Sequence, residues 1–317
     1  MSKHTIAIIG GTGFIGGILA AQLSREGYRL KLLTRARERA KRHIVIPTLD
    51  LVEADVHNEA VLCEHLKGAK AVINLTGILN ENRTGDFNRV HAELPAKIVS
   101  ACKSVGVRRL LHMSALKAST AAPSQYLRSK AAGEKAVTDS ADALDVTVFR
   151  PSVVFGAGDD FFNRFAAITE MVPIALPLAC ASARFSPVYV GDVANAFVRS
   201  LDDKSTYGQG YNLCGPDTFT LAEIVRYTME QLGIQRSIIP LGTGLSRLQA
   251  LLMGRMPGKP FSTDNYRSML VPSTCDGDDL ARLGIEATKV DAVVPTYLGK
   301  RNRLGNNSAF RSRAGRS

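Results

Sequence analysis

The sequence predicts an α/β protein whose core is a doubly wound parallel sheet, and three observations support this fold class. Short apolar runs typical of buried strands alternate with segments of helical periodicity throughout residues 5–149. The first run, Thr5–Ile9, ends in glycines, as a buried strand does before a tight turn. Apolar residues make up 45% of the chain and charged residues 22%, which is the balance of a globular protein.

The elements can be placed in order along the chain. Strands are expected at Thr5–Ile9, Arg29–Leu33, Leu49–Glu53, Ala71–Leu75, Arg109–His112 and Val146–Phe149. Helices are expected at Phe14–Leu23, Asn58–His65, 86–104 and 124–138. After Pro151, loops rich in Gly and Pro separate a strand at Pro187–Val190, a helix at 191–201, a strand at 210–213 and helices at 220–232 and 245–254.

This pattern divides the chain into three parts. Residues 1–150 form the sheet domain, and 151–298 form a smaller lobe interwoven with late elements of the sheet. Residues 299–317 are expected to be a disordered basic tail, because they are rich in Gly, Asn and Ser and hold six Lys or Arg and no acid. The tail is interpreted as solvated, or as a contact with anionic lipid or an acidic partner.

Charge and cysteine content exclude several classes of protein. The net charge is +11, of which the tail supplies +6, and no recognition motif accompanies the remainder, so nucleic acid is not an expected partner. Five widely spaced Cys and no metal-ligand cluster predict reduced thiols and no metal. No signal peptide fits before the first strand, and prolines interrupt the most apolar stretch, 171–183, so a cytoplasmic protein is expected.

The turn after the first strand carries the first chemical signal. Glycines at 11, 13 and 16 form G-x-G-x-x-G between a strand and a helix, which is the context of a dinucleotide-binding Rossmann domain. Gly13 would let the backbone approach a pyrophosphate, Gly16 would let helix and strand pack together, and the helix N-terminus would face the phosphates. The residues assigned to this cradle are Gly10, Gly11, Thr12, Gly13, Phe14, Ile15 and Gly16.

The end of the second strand favours NADP(H) over NAD(H). NAD-selective domains usually place an acidic residue there, but this chain has Thr34-Arg35-Ala36-Arg37. Arg35 could pair with a 2′-phosphate, although Arg35 and Arg37 could instead belong to a solvated helix face. Asp55 and Val56, after the third strand, are assigned to the adenine, with Asp55 as a helix N-cap as the alternative.

A second group of residues suits proton transfer. Tyr126 and Lys130 are four apart on a predicted helix and so share a face, and Ser114 directly follows the fifth strand. An ammonium beside a phenol should lower the phenol pKa from its ordinary value of about 10. Lys130 could also bind the nicotinamide ribose, and Ser114 could hydrogen-bond a substrate oxygen. The alternative is a surface helix with ordinary spacing.

With these motifs in place, the chain resembles an extended or atypical short-chain dehydrogenase/reductase over residues 5–298. The resemblance rests on GGTGFIG, Ser114, the Tyr126/Lys130 pair and RPSVVFG at 150–156. It implies that Ser114, Tyr126 and Lys130 are catalytic, and that the segment Pro151, Ser152, Val153 lines the nicotinamide. Leu75, Thr76 and Gly77 are assigned to the same cofactor site.

Longer strings are similar to one subgroup, the bacterial relatives of the NADPH-binding accessory subunit of respiratory complex I. These strings are YLRSKAAGE at 126–134, RPSVVFGAGDDFFNRFA at 150–166, FSPVYVGDVA at 185–194 and CGP at 214–216. The chain departs from that subgroup at Leu116-Lys117-Ala118, where a glycine usually follows the Leu.

Three functions remain open on this evidence. The retained Ser/Tyr/Lys set favours an NADP(H)-dependent oxidoreductase acting on an unidentified small molecule. The subgroup resemblance favours a nucleotide-stabilised accessory or assembly factor of respiratory complex I, and a nucleotide-sugar epimerase or dehydratase is a weaker option. The basic, amphipathic helix at 245–256 is expected to pack in the core, with peripheral membrane contact at the inner face as the alternative. Asp192 is expected to cap helix 193–201.

Overall fold

A computed structural model of the protein describes residues 4–37 and 46–299. The chain forms two compact units. The first comprises Met1–Ser152, Val190–Leu213 and Cys275–Glu286. The second comprises Val153–Tyr189, Cys214–Thr274 and Ala287–Ser317. Apart from Gly299, the basic tail expected at 299–317 lies outside the described residues.

The described residues contain thirteen strands in named elements. They are β1 Thr5–Ile9, β2 Arg29–Thr34, β3 Leu49–Glu53, β4 Ala71–Asn74, β5 Arg109–Met113, β6 Asp145–Pro151, β7 Val154–Phe155, β8 Ala175–Leu178, β9 Arg184–Phe185, β10 Val188–Tyr189, β11 Gln209–Leu213, β12 Phe219–Thr220 and β13 Ser237–Pro240.

The helices connect and cover these strands. They are α1 Phe14–Arg25, α2 Glu59–Leu66, α3 Asp86–Asn88, α4 Leu94–Val105, α5 Gln125–Thr138, α6 Phe162–Met171, α7 Val190–Ser200, α8 Leu221–Leu232, α9 Thr243–Met253, α10 Thr263–Met269 and α11 Asp279–Arg282. A π-helical turn, Arg89–Glu93, joins α3 to α4, and a final helix covers 290–299. No helix in the described part of the chain is long and apolar enough to cross a bilayer.

The first unit is built on a seven-stranded sheet in the order β11-β6-β5-β4-β1-β2-β3, and every strand pair in it is parallel. Strands β4 and β5 are buried along their whole length, which explains why apolar residues follow one another at Ala71–Ile73 and at Leu110–Leu111 instead of alternating with polar ones. The order reverses between β1 and β4, which defines the switch point where open α/β sheets bind ligands. The predicted doubly wound Rossmann sheet is confirmed.

The second unit combines helices with three short strand pairs, β7 with β10, β8 with β13 and β9 with β12. Its core contains large apolar side chains from α6, α8 and the final helix, among them Phe162, Ile224, Val225, Val294 and Leu298. Burial of these side chains supplies the unit with a hydrophobic core of its own.

The helix cap expected at Asp192 is wrong, and so is the alternative interpretation of Asp55 as a cap. Helix α7 already begins at Val190, so Asp192 lies buried in its first turn and does not cap it. Helix α2 is capped by Asn58, whose side chain accepts a hydrogen bond from the Ala60 N–H. Asp55 instead accepts a bond from the His57 N–H at 3.0 Å, which closes the turn before the cap.

Two further expectations need correction. Helix α9 does not bury its leucines as a core helix would, because Leu245 and Leu252 are 58% and 59% exposed. The expectation that all five cysteines are reduced is wrong for Cys214 and Cys275, which are disulfide-bonded. The other three, Cys63, Cys102 and Cys180, are free thiols.

Candidate active site

The glycine-rich turn lies at the carboxyl end of β1, and its glycines are required for different structural reasons. Gly10 has φ +79°, a left-handed conformation that glycine adopts without strain, and its carbonyl accepts the Gly13 N–H at 3.2 Å. A Cβ on Gly10 would also lie 3.0 Å from the backbone of Leu75 and Thr76. A Cβ on Gly16 would lie 2.5 Å from the Gly11 Cα. Gly16 therefore allows α1 to pack against the turn, as the sequence predicted.

Gly13 differs from its neighbours because the protein itself leaves room beside it. A Cβ at this position would meet only the Gly10 carbonyl oxygen, at 3.4 Å. Gly13 is also the N-cap of α1, so the first amide groups of that helix point out of the same turn. Together these features form an open cradle at the positive end of a helix dipole, which suits a pyrophosphate.

The loop after β4 forms the other side of the switch point. Asn74 holds it in place, since its Oδ1 accepts hydrogen bonds from the Thr76 N–H at 3.1 Å and from the Thr76 hydroxyl at 2.6 Å. The Asn74 amide donates to Nδ1 of the fully buried His112 at 3.0 Å. Leu75, Thr76 and Gly77, which were assigned to the cofactor, therefore lie in a loop fixed to β4 and β5.

Lys130 on α5 reaches the carboxyl ends of both strands. Its ammonium donates to the Thr76 carbonyl and to the Met113 carbonyl, each at 3.2 Å. The side chain is buried, and burial lowers its pKa from 10.5 to about 8. An ammonium has three hydrogens, and these two bonds leave one to donate to another group.

Tyr126 lies one helical turn before Lys130 and packs between aromatic rings. Its ring meets His91 and Phe87 edge to face, with ring centroids 5.5 and 6.0 Å away. Burial raises the pKa of the Tyr126 phenol to about 12. The expected lowering by Lys130 is therefore wrong for this structure, because the cost of burying a phenolate determines the direction.

Ser114 directly follows β5 and is 2% exposed. Its hydroxyl has no hydrogen-bond partner among the described residues. The adjacent Met113 carbonyl accepts from Lys130, so this buried hydroxyl belongs to the same corner of the sheet. A buried hydroxyl without a partner costs about 1–3 kcal/mol, which is the situation expected where a ligand supplies the missing bond.

Sequence reasoning missed His91, which connects the elements of this site. Its Nε2 accepts the Ile78 N–H at 3.0 Å, so the proton must lie on Nδ1, which donates to the Ser129 hydroxyl at 2.9 Å. Ser129 in turn donates to the Tyr126 carbonyl at 2.8 Å. Burial and the nearby Lys130 lower the pKa of His91, so the ring is neutral.

A glycine in α5 was the available signal for this contact. A Cβ on Gly133 would lie 1.8 Å from the His91 carbonyl oxygen, so α5 can approach the π-helical turn only with glycine there. Glycine is unfavourable inside a helix, and its presence in a predicted helix therefore indicates a close contact. The π-helical turn itself has no sequence signature that we could have used.

The remaining predicted cofactor residues lie at other strand ends of the first unit. Arg35 is exposed just after β2, Asp55 is exposed and Val56 is buried after β3. Pro151 ends β6, and its carbonyl accepts the Leu116 N–H at 3.0 Å.

Ser152 and Val153, which were assigned to the nicotinamide, lie where the chain passes from the first unit to the second. Ser152 is the last residue of the first unit in that part of the chain, and Val153 is the first residue of the second. In the described part of the chain, no three His, Cys, Asp or Glu side chains are grouped so that they could hold a metal ion.

The sequence is similar to two curated proteins that differ in what they do. It is 29% identical over 302 residues to the mitochondrial NADH dehydrogenase (ubiquinone) 1 alpha subcomplex subunit 9 of Mus musculus, a match that covers 92% of this chain and 78% of the mouse protein. It is 28% identical over 245 residues to the ceramide reductase of Caulobacter vibrioides, covering 76% of this chain and 74% of the reductase.

The fold is shared with solved structures that contain NAD or NADPH. MoeE5 in complex with UDP-glucose and NAD superimposes with a TM-score of 0.73 at 18% identity, covering 95% of this chain and 99% of MoeE5. The NADPH-dependent quinone oxidoreductase QOR2 of Escherichia coli, complexed with NADPH, gives a TM-score of 0.72 at 18% identity, covering 94% of this chain and 99% of QOR2. At these identities the likeness concerns the fold alone.

A family model identifies the chain directly. The match runs over residues 6–214, which include the glycine turn, the β4 loop, Ser114, Tyr126 and Lys130. The protein belongs to the NAD dependent epimerase/dehydratase family.

Proposed function

We propose that the protein is a cytoplasmic, NADP(H)-dependent reductase of the short-chain dehydrogenase/reductase type, acting on a small carbonyl compound. The observation that carries this proposal is the arrangement around Lys130. Its buried ammonium donates to the Met113 carbonyl and keeps one hydrogen for a ligand, the unpartnered Ser114 hydroxyl directly follows Met113, and Tyr126 lies one helical turn away. A surface helix with ordinary spacing would not bury Lys130.

The residues present fit a nicotinamide nucleotide. The open space at Gly13 and the N-terminus of α1 suit the pyrophosphate, while Lys130 and the loop Leu75–Gly77 suit the nicotinamide ribose. When bound, the nucleotide supplies the hydride. We assign the adenine end to Asp55 and Val56, the nicotinamide end to Pro151, Ser152 and Val153, and the rest of the second unit to the substrate lobe.

The protonation state of Tyr126 favours the reductive direction. With its pKa raised to about 12, the phenol keeps its proton at neutral pH and can donate it to a substrate oxygen. The Ser114 hydroxyl would hold the same oxygen, and its lack of another partner leaves it available. The reductase from Caulobacter shows that reduction occurs among the relatives of this chain.

Arg35 supports NADP(H) as the preferred nucleotide. It is exposed at the end of β2, where its guanidinium is available to a 2′-phosphate, and no acidic residue follows that strand directly. A charge-assisted pair of this kind contributes about 1.5–3 kcal/mol to binding.

The deciding experiment replaces the hydroxyl of Tyr126 alone. Tyr126→Phe should leave NADPH affinity nearly unchanged and reduce turnover by about two orders of magnitude or more, because the proton is needed only in the transition state. Turnover is measured as loss of NADPH absorbance with a panel of ketone substrates, including long-chain keto lipids. Tyr207→Phe, which removes a phenol outside the site, is the matched control and should be active. An active Tyr126→Phe enzyme would refute the proposed role.

A second candidate function is that of an accessory or assembly factor for a respiratory complex, with the nucleotide serving structure only. It is favoured by the similarity to the mouse subunit over 92% of this chain. Complementation of a deletion strain separates the two candidates. Rescue by Tyr126→Phe together with failure of Gly13→Val would favour the accessory role, whereas failure of both would favour the enzyme.

A further inference from the structure

Helix α9 of the second unit carries its large apolar side chains on its outer face. Leu245, Leu248 and Leu252 are 58%, 49% and 59% exposed. Their spacing of three and four residues places them on one face of the helix. Leu251 and Met256, at 44% and 53% exposed, extend this surface, which we call the α9 face. The apolar stripe of a helix in a globular protein normally faces the core, and an exposed one indicates a surface that binds a protein or a membrane.

The opposite side of α9 is the side that is fully buried and tied to its unit. Ser246 and Ala250 are 2% and 0% exposed, and the Ser246 hydroxyl donates to the Leu241 carbonyl at 3.1 Å. Gln249 donates to the Pro177 carbonyl at 3.1 Å and accepts the Ala179 N–H at 3.2 Å, which ties the helix to β8. Small residues and one amide thus fix α9 with its leucines outward, and this arrangement leaves the α9 face free for a partner.

The chain segment that carries the α9 face is positively charged, and the first acid after it is Asp264 in the neighbouring helix α10. Residues 231–263 contain three Arg and one Lys and no Asp or Glu. Arg247 and Arg255, which flank the leucines, are both exposed. A second copy of this chain would bring two positive faces together, whereas anionic headgroups would complement the arginines while acyl chains cover the leucines.

We propose that the α9 face attaches the protein to the surface of an anionic lipid bilayer. At 11 residues, α9 is about 16 Å long, too short to span a membrane, and so would lie in the plane of the interface. The leucines enter the acyl boundary, and Arg247 and Arg255 remain at the level of the headgroups. This attachment does not depend on whether the protein is an enzyme.

Co-sedimentation of the full chain with lipid vesicles tests this attachment. Vesicles of phosphatidylcholine with about 30% phosphatidylglycerol should bind the protein, and vesicles of phosphatidylcholine alone should bind it more weakly, because the arginines need anionic headgroups. The double variant Leu248→Gln/Leu252→Gln should weaken binding about tenfold or more, because both side chains leave the acyl boundary. Arg247→Gln/Arg255→Gln should remove the preference for phosphatidylglycerol. Unchanged circular dichroism and melting temperature would show that the variants are folded.

Two controls make the outcome decisive. Met171→Gln changes an apolar side chain that is 83% exposed but lies outside the α9 face, and it should bind like the wild type. The leucine variant keeps residues 300–317 and their six cations, so wild-type binding by that variant would mean that the tail is the anchor and would overturn the proposal. The proposal would also fail if the wild-type protein did not co-sediment with the vesicles that contain phosphatidylglycerol. Concentration-dependent dimerisation lost in the leucine variant, with no vesicle binding, would assign the face to a second copy instead.

Discussion

At the scale of single residues, the number of hydrogens on the Lys130 amine decides whether it can donate a hydrogen bond to a ligand, and this number depends on pH. Two backbone carbonyls occupy two of its ammonium hydrogens, and the third remains for a ligand. A neutral amine has only two hydrogens, and both would still be donated to the carbonyls of Thr76 and Met113. Deprotonation would therefore remove the ligand's hydrogen bond while leaving the contacts to Thr76 and Met113 in place.

This predicts that NADPH affinity depends on pH through Lys130. Burial lowers the Lys130 pKa to about 8, so the charged form dominates below that pH and is lost above it. The dissociation constant should rise about tenfold between about pH 7 and about pH 9.5, which corresponds to one charge-assisted hydrogen bond. Fluorescence titration of NADPH at several pH values measures this. Lys130→Met should bind weakly at every pH, and an equally steep dependence in that variant would assign the titration to another group.

The positions that could be predicted from the sequence are those with a strict local requirement. Gly16 and Gly10 were identified because a strand, a tight turn and a helix must meet within a few residues. Lys117 illustrates the same requirement. The related subgroup usually has a glycine at this position, and the backbone here has φ +59°, a left-handed conformation that favours glycine. The direction of the Tyr126 pKa shift could not be predicted from the sequence, because the burial of this side chain depends on Phe87 and His91, which come from a different part of the chain.

At the scale of elements, the junction of β1 and α1 contains one glycine that packing requires and one that we propose the nucleotide requires. A Cβ at Gly16 would collide with the Gly11 backbone at 2.5 Å, whereas one at Gly13 would meet only an oxygen at 3.4 Å. Gly16→Ala should therefore destabilise the protein by about 2 kcal/mol or more, and Gly13→Ala by no more than about 1 kcal/mol. Gly13→Ala should nevertheless weaken NADPH binding about tenfold or more, because its Cβ enters the cradle.

Thermal unfolding and nucleotide titration of the two variants measure the two effects separately. The prediction for Gly13 is wrong if Gly13→Ala binds NADPH as the wild type does. The prediction for Gly16 is wrong if Gly16→Ala melts with the wild type, because the close approach of α1 to the turn would then not require glycine.

Elements with a clear period were predictable, and elements without one were not. The seven strands of the large sheet were all expected, and most of their bounds lie within a residue or two of those expected. Of the two-residue strands, β10 lies within the strand expected at Pro187–Val190, whereas β7, β9 and β12 carry no periodic signal and were not expected. The period of α9 correctly indicated an amphipathic helix. Period alone does not say which face is buried, and in the structure the buried face is the one that carries Ser246 and Ala250.

At the scale of the whole molecule, nucleotide binding should be visible as stability of the folded chain. A ligand that binds only the folded state stabilises it by RT ln(1 + [L]/Kd). If NADPH binds tenfold tighter than NADH, equal saturating concentrations of the two should differ in stabilisation by about 1.4 kcal/mol. The melting temperature of the full protein therefore reports which nucleotide the first unit prefers.

We expect Arg35 to account for that difference, because it is an exposed cation directly after β2, where a 2′-phosphate is proposed to bind. In Arg35→Ala the shift caused by NADPH should fall to that caused by NADH, and the NADH shift should stay as in the wild type, since NADH lacks the phosphate. Arg37→Ala is the matched control. Arg37 is also exposed, and its backbone N–H bonds to Glu53 at 3.3 Å, so removing its side chain should leave both shifts unchanged. A larger shift with NADH in the wild type would reverse the cofactor assignment. Equal losses in the two variants would mean that the positive charge of the loop as a whole, rather than one guanidinium, selects the nucleotide.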